Sequence, residues 1–319
     1  MGRRVSVRQV EPGLDPATGR PSFRDAIGVL TSWDDHELTV VTRDRTEARI
    51  PLDRLVAGKV VPLFPARNAP LPTAGPVELQ RIAARGWPAV EQRPLGDWLL
   101  RASAGFTRRA NSVQTLGDPG LPLPQALERA RQWYAERGLP TWVELVTPGS
   151  PAELTAELDR LGARFAPTLV RTAPLAPLAK AGRGADAVRL SRTAGPEWLS
   201  AYQRVEADPA LTEAARRVLH GGPSVWFATV PDPHGGIPLA IGRCVVDGAW
   251  AGFGAVEVRP NARRRGLATA LMAALAARAA EEGAQGAHLQ VEAENSGAIT
   301  LYDGLGFTTS HTYHYARLP

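Results

Sequence analysis

Between Val258 and Leu267 the chain changes from a strand pattern to a helix pattern, and the way it does so restricts the fold more than any other feature. The stretch reads VEVRPNARRRGLATALMAAL. Pro260 and Asn261 break the strand, and Arg263-Arg264-Arg265-Gly266-Leu267-Ala268 opens a helix predicted over residues 267–282. Leu267, Leu271, Leu275 and Arg278 fall on one side of it at three- and four-residue spacing. Backbone N–H groups at such an opening lack intrahelical partners and carry the positive end of the helix dipole, so they can hold a pyrophosphate. Gly266 and Ala268 remove side-chain bulk there, and arginine supplies charge and forked donors. Taken alone, a solvated basic turn before an ordinary helix reads the same way. The stretch is not a dinucleotide fingerprint, because Gly252-Phe253-Gly254 sits inside a strand pattern without a third glycine or a following helix. No Gly-Lys-Ser/Thr occurs, so it is not a P-loop either.

The rest of the chain divides by its local grammar. Residues 1–62 read as a small all-β unit, with strands predicted at 4–10, 26–32, 37–43 and 47–51. Pro12-Gly13 and Asp34-Asp35 are read as two of its turns. A proline-rich linker follows over 62–76. From residue 77 helices and strands alternate: helix 77–85, strands 98–103 and 111–116, helix 124–137, strand 141–146, helix 152–161 and a strand over 168–175. Residues 177–186 read as a second linker. The last segment, 186–319, repeats this order with helices at 198–206 and 213–219 and strands at 225–230 and 239–246. Asp247-Gly248 turns the chain into a strand over 249–258. After the long helix come strand 287–292, helix 296–304 and a terminal strand over 308–317. ELDRLGARF at 157–165 ends a helix and enters a strand much as TLYDGLGF does at 300–307, so the two halves read as copies of one ancestral unit.

With 319 residues and 44% hydrophobic content the chain can bury a sizeable core. The formal net charge of +5 permits an anionic partner, either nucleic acid or a phosphorylated cofactor, and over this length nucleic acid is disfavoured. All but two of the 37 basic residues are arginine, an imbalance attributed to genomic base composition. Cys244 is the sole cysteine, which excludes an intramolecular disulfide and a cysteine-rich metal site; it reads as a small buried hydrophobe. His311 and His314 are three apart on a predicted strand, face opposite sides and cannot chelate one metal, so no metal is expected. No signal peptide and no run of about 20 apolar residues is seen, so a cytoplasmic protein without membrane contact is expected.

Downstream of the helix stands VEAENSGAITLYDGLGF. Strand, Arg-x-x-Gly-x-Ala, helix, strand, then Asn-x-x-Ala-x-x-Leu-Tyr-x-x-x-Gly-Phe resembles the GNAT superfamily of acyl-CoA-dependent N-acyltransferases. The resemblance covers residues 186–319 strongly and 77–178 weakly. It implies an acetyltransferase that moves an acetyl group from acetyl-CoA to an amine of a small molecule or protein by direct attack on the thioester. Arg263, Arg264, Arg265, Gly266, Leu267 and Ala268 would form the loop around the coenzyme A pyrophosphate, with backbone donors reaching to Thr269. Val256 to Val258 would be the bulged end of the central strand, aligned with the pantetheine arm. Asn295, with Ala298 beside it, would bond that arm, although a helix N-cap is the plainer role for this asparagine. Tyr302 falls where the family often has the acid that protonates the departing thiolate, and a packed aromatic is the alternative. Glu257 is the first choice of general base and Glu292 the second, each also readable as an exposed strand carboxylate. Trp198, Tyr202, Trp226 and Trp250 would be core or acceptor-pocket wall, with core packing the reading for most.

The middle segment lacks the cradle. Its strand-to-helix connection, TLGDPGLPLPQAL, has prolines at 119, 122 and 124, which remove N–H donors. It reads as a degenerate GNAT-like half, so the fold expected is a small N-terminal SH3-like β-barrel followed by two mixed-sheet α/β domains. GFTRRANSV at 105–113 resembles a stretch recurrent in actinobacterial-type tandem proteins and receives no chemical role. Proteins of that type are sometimes labelled histone acetyltransferases, but fold and cofactor do not fix the acceptor. The alternative reading is an acetyl-CoA-binding regulatory or interaction protein whose barrel contacts nucleic acid or protein.

Overall fold

A computed structural model describes residues 4–14, 19, 21–42, 46–61, 71–161, 166–182, 184–204 and 208–319. Most of the first linker, Gly162 to Phe165 of the expected repeat and the end of the helix predicted over 198–206 lie outside the described residues. The chain forms two compact units, one built on Met1–Asn68 and a larger one that begins at Ala69.

The first unit is an antiparallel sheet of β1 (Arg4–Leu14), β2 (Pro21–Trp33), β3 (Glu37–Thr42), β4 (Glu47–Pro51) and β5 (Leu55–Val60), in the order β4-β3-β2-β1-β5. Alternation sends Val5 and Val7, Leu38 and Val40, Ala26 and Ile50 to one buried face. Asp34 makes its turn by accepting the N–H groups of His36 and Glu37 at 2.8 and 2.9 Å. Pro12-Gly13, expected as a turn, lies inside β1 where the register slips between Val10 and Leu14. Its neighbour β5 reaches only to Gln9, so Pro12 deprives no ladder partner of a donor.

The larger unit begins with α1 (Pro76–Arg85), β6 (Glu91–Leu95), β7 (Trp98–Ala102), β8 (Val113–Gln114), α2 (Leu123–Ala135), β9 (Trp142–Thr147), α3 (Ala152–Leu161), β10 (Thr168–Pro174) and α4 (Leu175–Leu178). The second half follows with β11 (Arg189–Ser191), α5 (Pro196–Ala201), α6 (Pro209–His220), β12 (Ser224–Val230), β13 (Ala240–Asp247), β14 (Trp250–Val258), α7 (Leu267–Glu281), β15 (Gly286–Glu292), α8 (Ser296–Gly304) and β16 (Thr308–Arg317). The strand predicted over 111–116 shrinks to two residues because Asn111 turns its side chain onto the preceding loop. The helix predicted from 198 starts earlier, at Pro196, and ends at Ala201.

All strands of this unit join one eleven-stranded sheet, ordered β11-β12-β13-β14-β15-β10-β16-β9-β8-β7-β6. The order shows an exchange. β10, which follows the middle half's α3, leaves β9 and pairs antiparallel with β15, while β16 from the C-terminal half pairs with β9. β10 and β16 are themselves paired, and the parallel contacts β8/β9 and β14/β15 occupy corresponding places on either side. Arg171 of β10 seals the exchange: it is buried and donates to the Asp303 carboxylate and the Phe307 carbonyl at the end of α8. α7 buries Leu271, Met272, Leu275 and four alanines, so it is apolar nearly all round and sits in the core.

Candidate active site

β14 and β15 lie in parallel register only from Trp250/Gly286 to Phe253/Leu289. β14 continues to Val258 and β15 to Glu292, so the strands diverge from that point. The cause is local. On β13, Ile241 faces Glu257 and Arg243 faces Gly254, which leaves Ala255 and Val256 opposite the single Gly242. This bulge holds Ala255 at φ +49°, left-handed for a residue with a Cβ. The buried indole of Trp198 donates to the Gly242 carbonyl at 3.2 Å, satisfying a group at the bulge. Below the divergence the strands close on buried His288. A Cβ at Gly252 would come within 2.6 Å of the imidazole, so only glycine fits there.

The divergence opens a cleft of about 740 Å³. It brings together Val256, Glu257, Glu292, Asn295, Ala298 and Tyr302 of the C-terminal half. Val258 pairs with Ala240 at the end of β14. Glu257 accepts the Gln203 N–H at 3.1 Å, and burial raises its carboxyl above the usual range. Glu292 ends β15 opposite Thr168 and is exposed. Asn295 is the N-cap of α8, its Oδ1 accepting the Ala298 N–H at 3.1 Å, so the plainer of its two expected roles is present in the structure. Tyr302 packs edge-on to Phe307 at 5.8 Å, and its hydroxyl has no hydrogen-bond partner among the described residues. Burial pushes that hydroxyl up to about 12, so it keeps its proton at neutral pH.

Residues 263–269 are not part of this wall; they follow β14 after a short 3-10 turn, Pro260–Ala262. Arg264 at φ +62° and Gly266 at φ +76° are left-handed, with Arg265 between them in the ordinary region. Alternation of this kind turns successive N–H groups toward one concavity, a nest for an anion. The first i to i−4 bond at the helix opening runs from Ala270 to Gly266, so the N–H groups of Leu267, Ala268 and Thr269 have no backbone acceptor among the described residues. A Cβ on Gly266 would meet nothing within 4 Å, which leaves the approach open. Arg263 folds back toward the Val258 carbonyl at 3.4 Å, while Arg264 and Arg265 are exposed.

Sequence reasoning missed the wall supplied by the middle half. Phe106, Thr107, Arg108 and Arg109, from the stretch that received no role, line the same cleft. Ala104, Gly105 and Thr107 all have positive φ. Buried Asn111 clamps the loop, accepting from Ser103 and Gly105 and donating to the Phe106 and Thr107 carbonyls. Phe106 stacks on Trp87 at 6.0 Å and meets Tyr202 edge-on at 6.3 Å, and Trp87 donates to the Thr107 hydroxyl at 3.1 Å. The available signal was the Gly-Phe-Thr run with a buried-type asparagine four residues on. Of the aromatics singled out, Trp198 and Trp250 are core, Tyr202 is cleft wall and Trp226 is covered by Arg192 and Arg278.

The corresponding place in the middle half is filled. Glu144, fully buried on β9, accepts from Arg101 at 2.7 Å, Gln80 at 2.8 Å and Gln114 at 3.2 Å. Thr115 donates to the Glu144 carbonyl and bonds Ser150, each at 2.8 Å, so polar side chains tie β8 and β9 together where β14 and β15 part.

A divergent parallel strand pair with a bulge, followed by an anion nest at a helix start, defines a GNAT-type acetyltransferase. Residues 73–316 match the family model described as "Probable histone acetyltransferase Rv0428c C-terminal", and the chain belongs to that family. Residues 1–65 match a family described as a domain of unknown function. Probable histone acetyltransferase Rv0428c of Mycobacterium tuberculosis is 29% identical, covering 99% of this chain and 94% of that protein. The uncharacterized N-acetyltransferase YobR of Bacillus subtilis is 26% identical over 75% of this chain and 96% of its own. A GCN5-related N-acetyltransferase from Kribbella flavida superposes with a TM-score of 0.56 at 18% identity, covering 77% of this chain and 97% of that one, which is a likeness of fold. No helix among the described residues is long and apolar enough to cross a membrane.

Proposed function

We propose that the enzyme transfers an acetyl group from acetyl-CoA to a primary amine within the cleft between β14 and β15. The observation that carries this is the parting of those strands at the Ala255 bulge, which leaves backbone groups of a central strand free beside a cleft. In this reading the N–H groups of residues 264–269 hold the pyrophosphate, and the end of β14 aligns the thioester. Glu257, its carboxyl raised by burial, accepts a proton from the amine, directly or through water. The amine nitrogen bonds to the thioester carbonyl carbon, the C–S bond breaks, and Tyr302 supplies the proton that leaves with the sulfur. Tyr302 holds its proton at neutral pH and so can give one to the sulfur, although burial makes it a weaker acid than a free tyrosine. Isothermal calorimetry with acetyl-CoA, followed by coenzyme A release with an amine panel, tests the reading. One binding event and amine-dependent release are expected; no binding overturns it.

A further inference from the structure

Arg109 stands in the cleft wall with no carboxylate paired to it among the described residues. Its Nη1 donates to Gln290 Oε1 at 2.7 Å, and its guanidinium lies 4.4 Å from the Trp87 ring centroid. Both partners are neutral, and no carboxylate lies within ion-pair distance of Arg109 among the described residues. The Tyr313 hydroxyl also donates to Gln290 Oε1, at 3.1 Å, so this amide oxygen is aimed by two donors and holds the guanidinium in place. A guanidinium has five N–H donors, and one bond to a neutral amide leaves most of them unused.

A second guanidinium lies beside the first. Arg243 approaches the same Trp87 ring at 5.0 Å, is buried, and among the described residues donates to the carbonyls of Gly86, Leu219 and Gly221. Burial, and next the Arg109 charge, push Arg243 down to about 9. Arg108, Arg204, Glu292 and Glu294 line the same cleft and are all solvent-exposed, so water screens their charges alike. The loop carrying Arg109 is held in left-handed conformations at Ala104 and Thr107 by Asn111, and such strain persists where surrounding structure enforces it, often for a site. Glu257 shares the chamber, and Tyr202 feels the charges of both Glu257 and Arg109.

We propose that Arg109 anchors a carboxylate on the acceptor, so that the enzyme acetylates small amines bearing an acid group, with the amine directed to Glu257 and the acid to Arg109. The inference rests on the transferase reading and names its substrate class. A lysine-rich peptide is the disfavoured acceptor, because its side chains would bring positive charge to Arg109 and no carboxylate to pair with it.

The test compares ω-amino acids of increasing chain length with alkylamines of the same length and with a tetralysine peptide, all with acetyl-CoA. Charge-assisted hydrogen bonds to a carboxylate predict kcat/KM about 10- to 100-fold higher for the best amino acid than for its alkylamine. Arg109→Gln should collapse that ratio at least about tenfold, chiefly through KM, and Arg109→Lys should restore part of it. Calorimetry on both variants should give an acetyl-CoA affinity close to wild type, which separates a lost acceptor anchor from a lost cofactor contact. Preference for alkylamines or the peptide overturns the proposal while leaving the transferase reading in place, as does a ratio unmoved in Arg109→Gln. Acetyl-CoA binding without transfer to any amine overturns both.

Discussion

Phe253 and Leu289 are the last residues of β14 and β15 to face each other in parallel register. Two residues further along β14 the backbone is left-handed at Ala255, and from there the two strands have no mutual pairing. Sheet edges normally expose such unpaired groups to solvent or to other chains. Here the unpaired groups lie inside a sheet of eleven strands, walled by the middle half, so a ligand can compete for them without an open edge.

Replacing Gly266 with Glu places a carboxylate and a Cβ at φ +76°, where both charge and conformation oppose phosphate binding. Acetyl-CoA affinity measured by calorimetry should fall at least about tenfold. Wild type should bind one coenzyme A per chain, because the Thr115, Glu144 and Ser150 bonds close the corresponding place in the middle half. A stoichiometry of two would remove this account of the middle half.

Tyr302→Phe keeps the ring against Phe307 and deletes the hydroxyl. Acetyl-CoA affinity should hardly change while single-turnover transfer falls about 10²- to 10⁴-fold, the usual reach of such proton transfer. Near-normal transfer would leave water as the proton source.

Glu257 must be ionised to accept a proton, and burial raises its pKa. The kcat/KM profile should therefore climb with pH through a carboxylate limb lying above the ordinary value of about 4.3. Glu257→Gln should abolish that limb and lower transfer by about 10²-fold or more. A variant that keeps the limb assigns it to another group.

Arg101 and Glu144 form an ion pair with side chains 2% and 0% exposed. Removing one member leaves the other charged and buried, so Glu144→Leu should cost about 3–5 kcal/mol in urea unfolding. Replacing both with apolar residues should recover much of that loss, because two desolvation penalties disappear together. If the single and double variants are equally unstable, the loss comes from packing and not from the orphaned charge.

What the sequence determined by itself is what short-range physics controls. α3, α8 and β16 run over the residues that periodicity marks out, because apolar spacing and the breaks flanking it act within a few residues. Pro260, Gly266 and the apolar run after them likewise dictate a strand stop, a left-handed turn and a buried helix without help from elsewhere in the chain. Tertiary structure alone decided pairing. β10 and β16 each follow a helix and end their half, so nothing local says that they trade places between halves. β6 and β11 escaped notice because Pro94 and mostly exposed residues leave them no alternating face. The company of Arg109 was equally hidden: its hydrogen-bond partner Gln290 is 181 residues away in sequence. Only the exchange of strands, which merges two halves into one sheet, brings that guanidinium and Glu257 to one cleft.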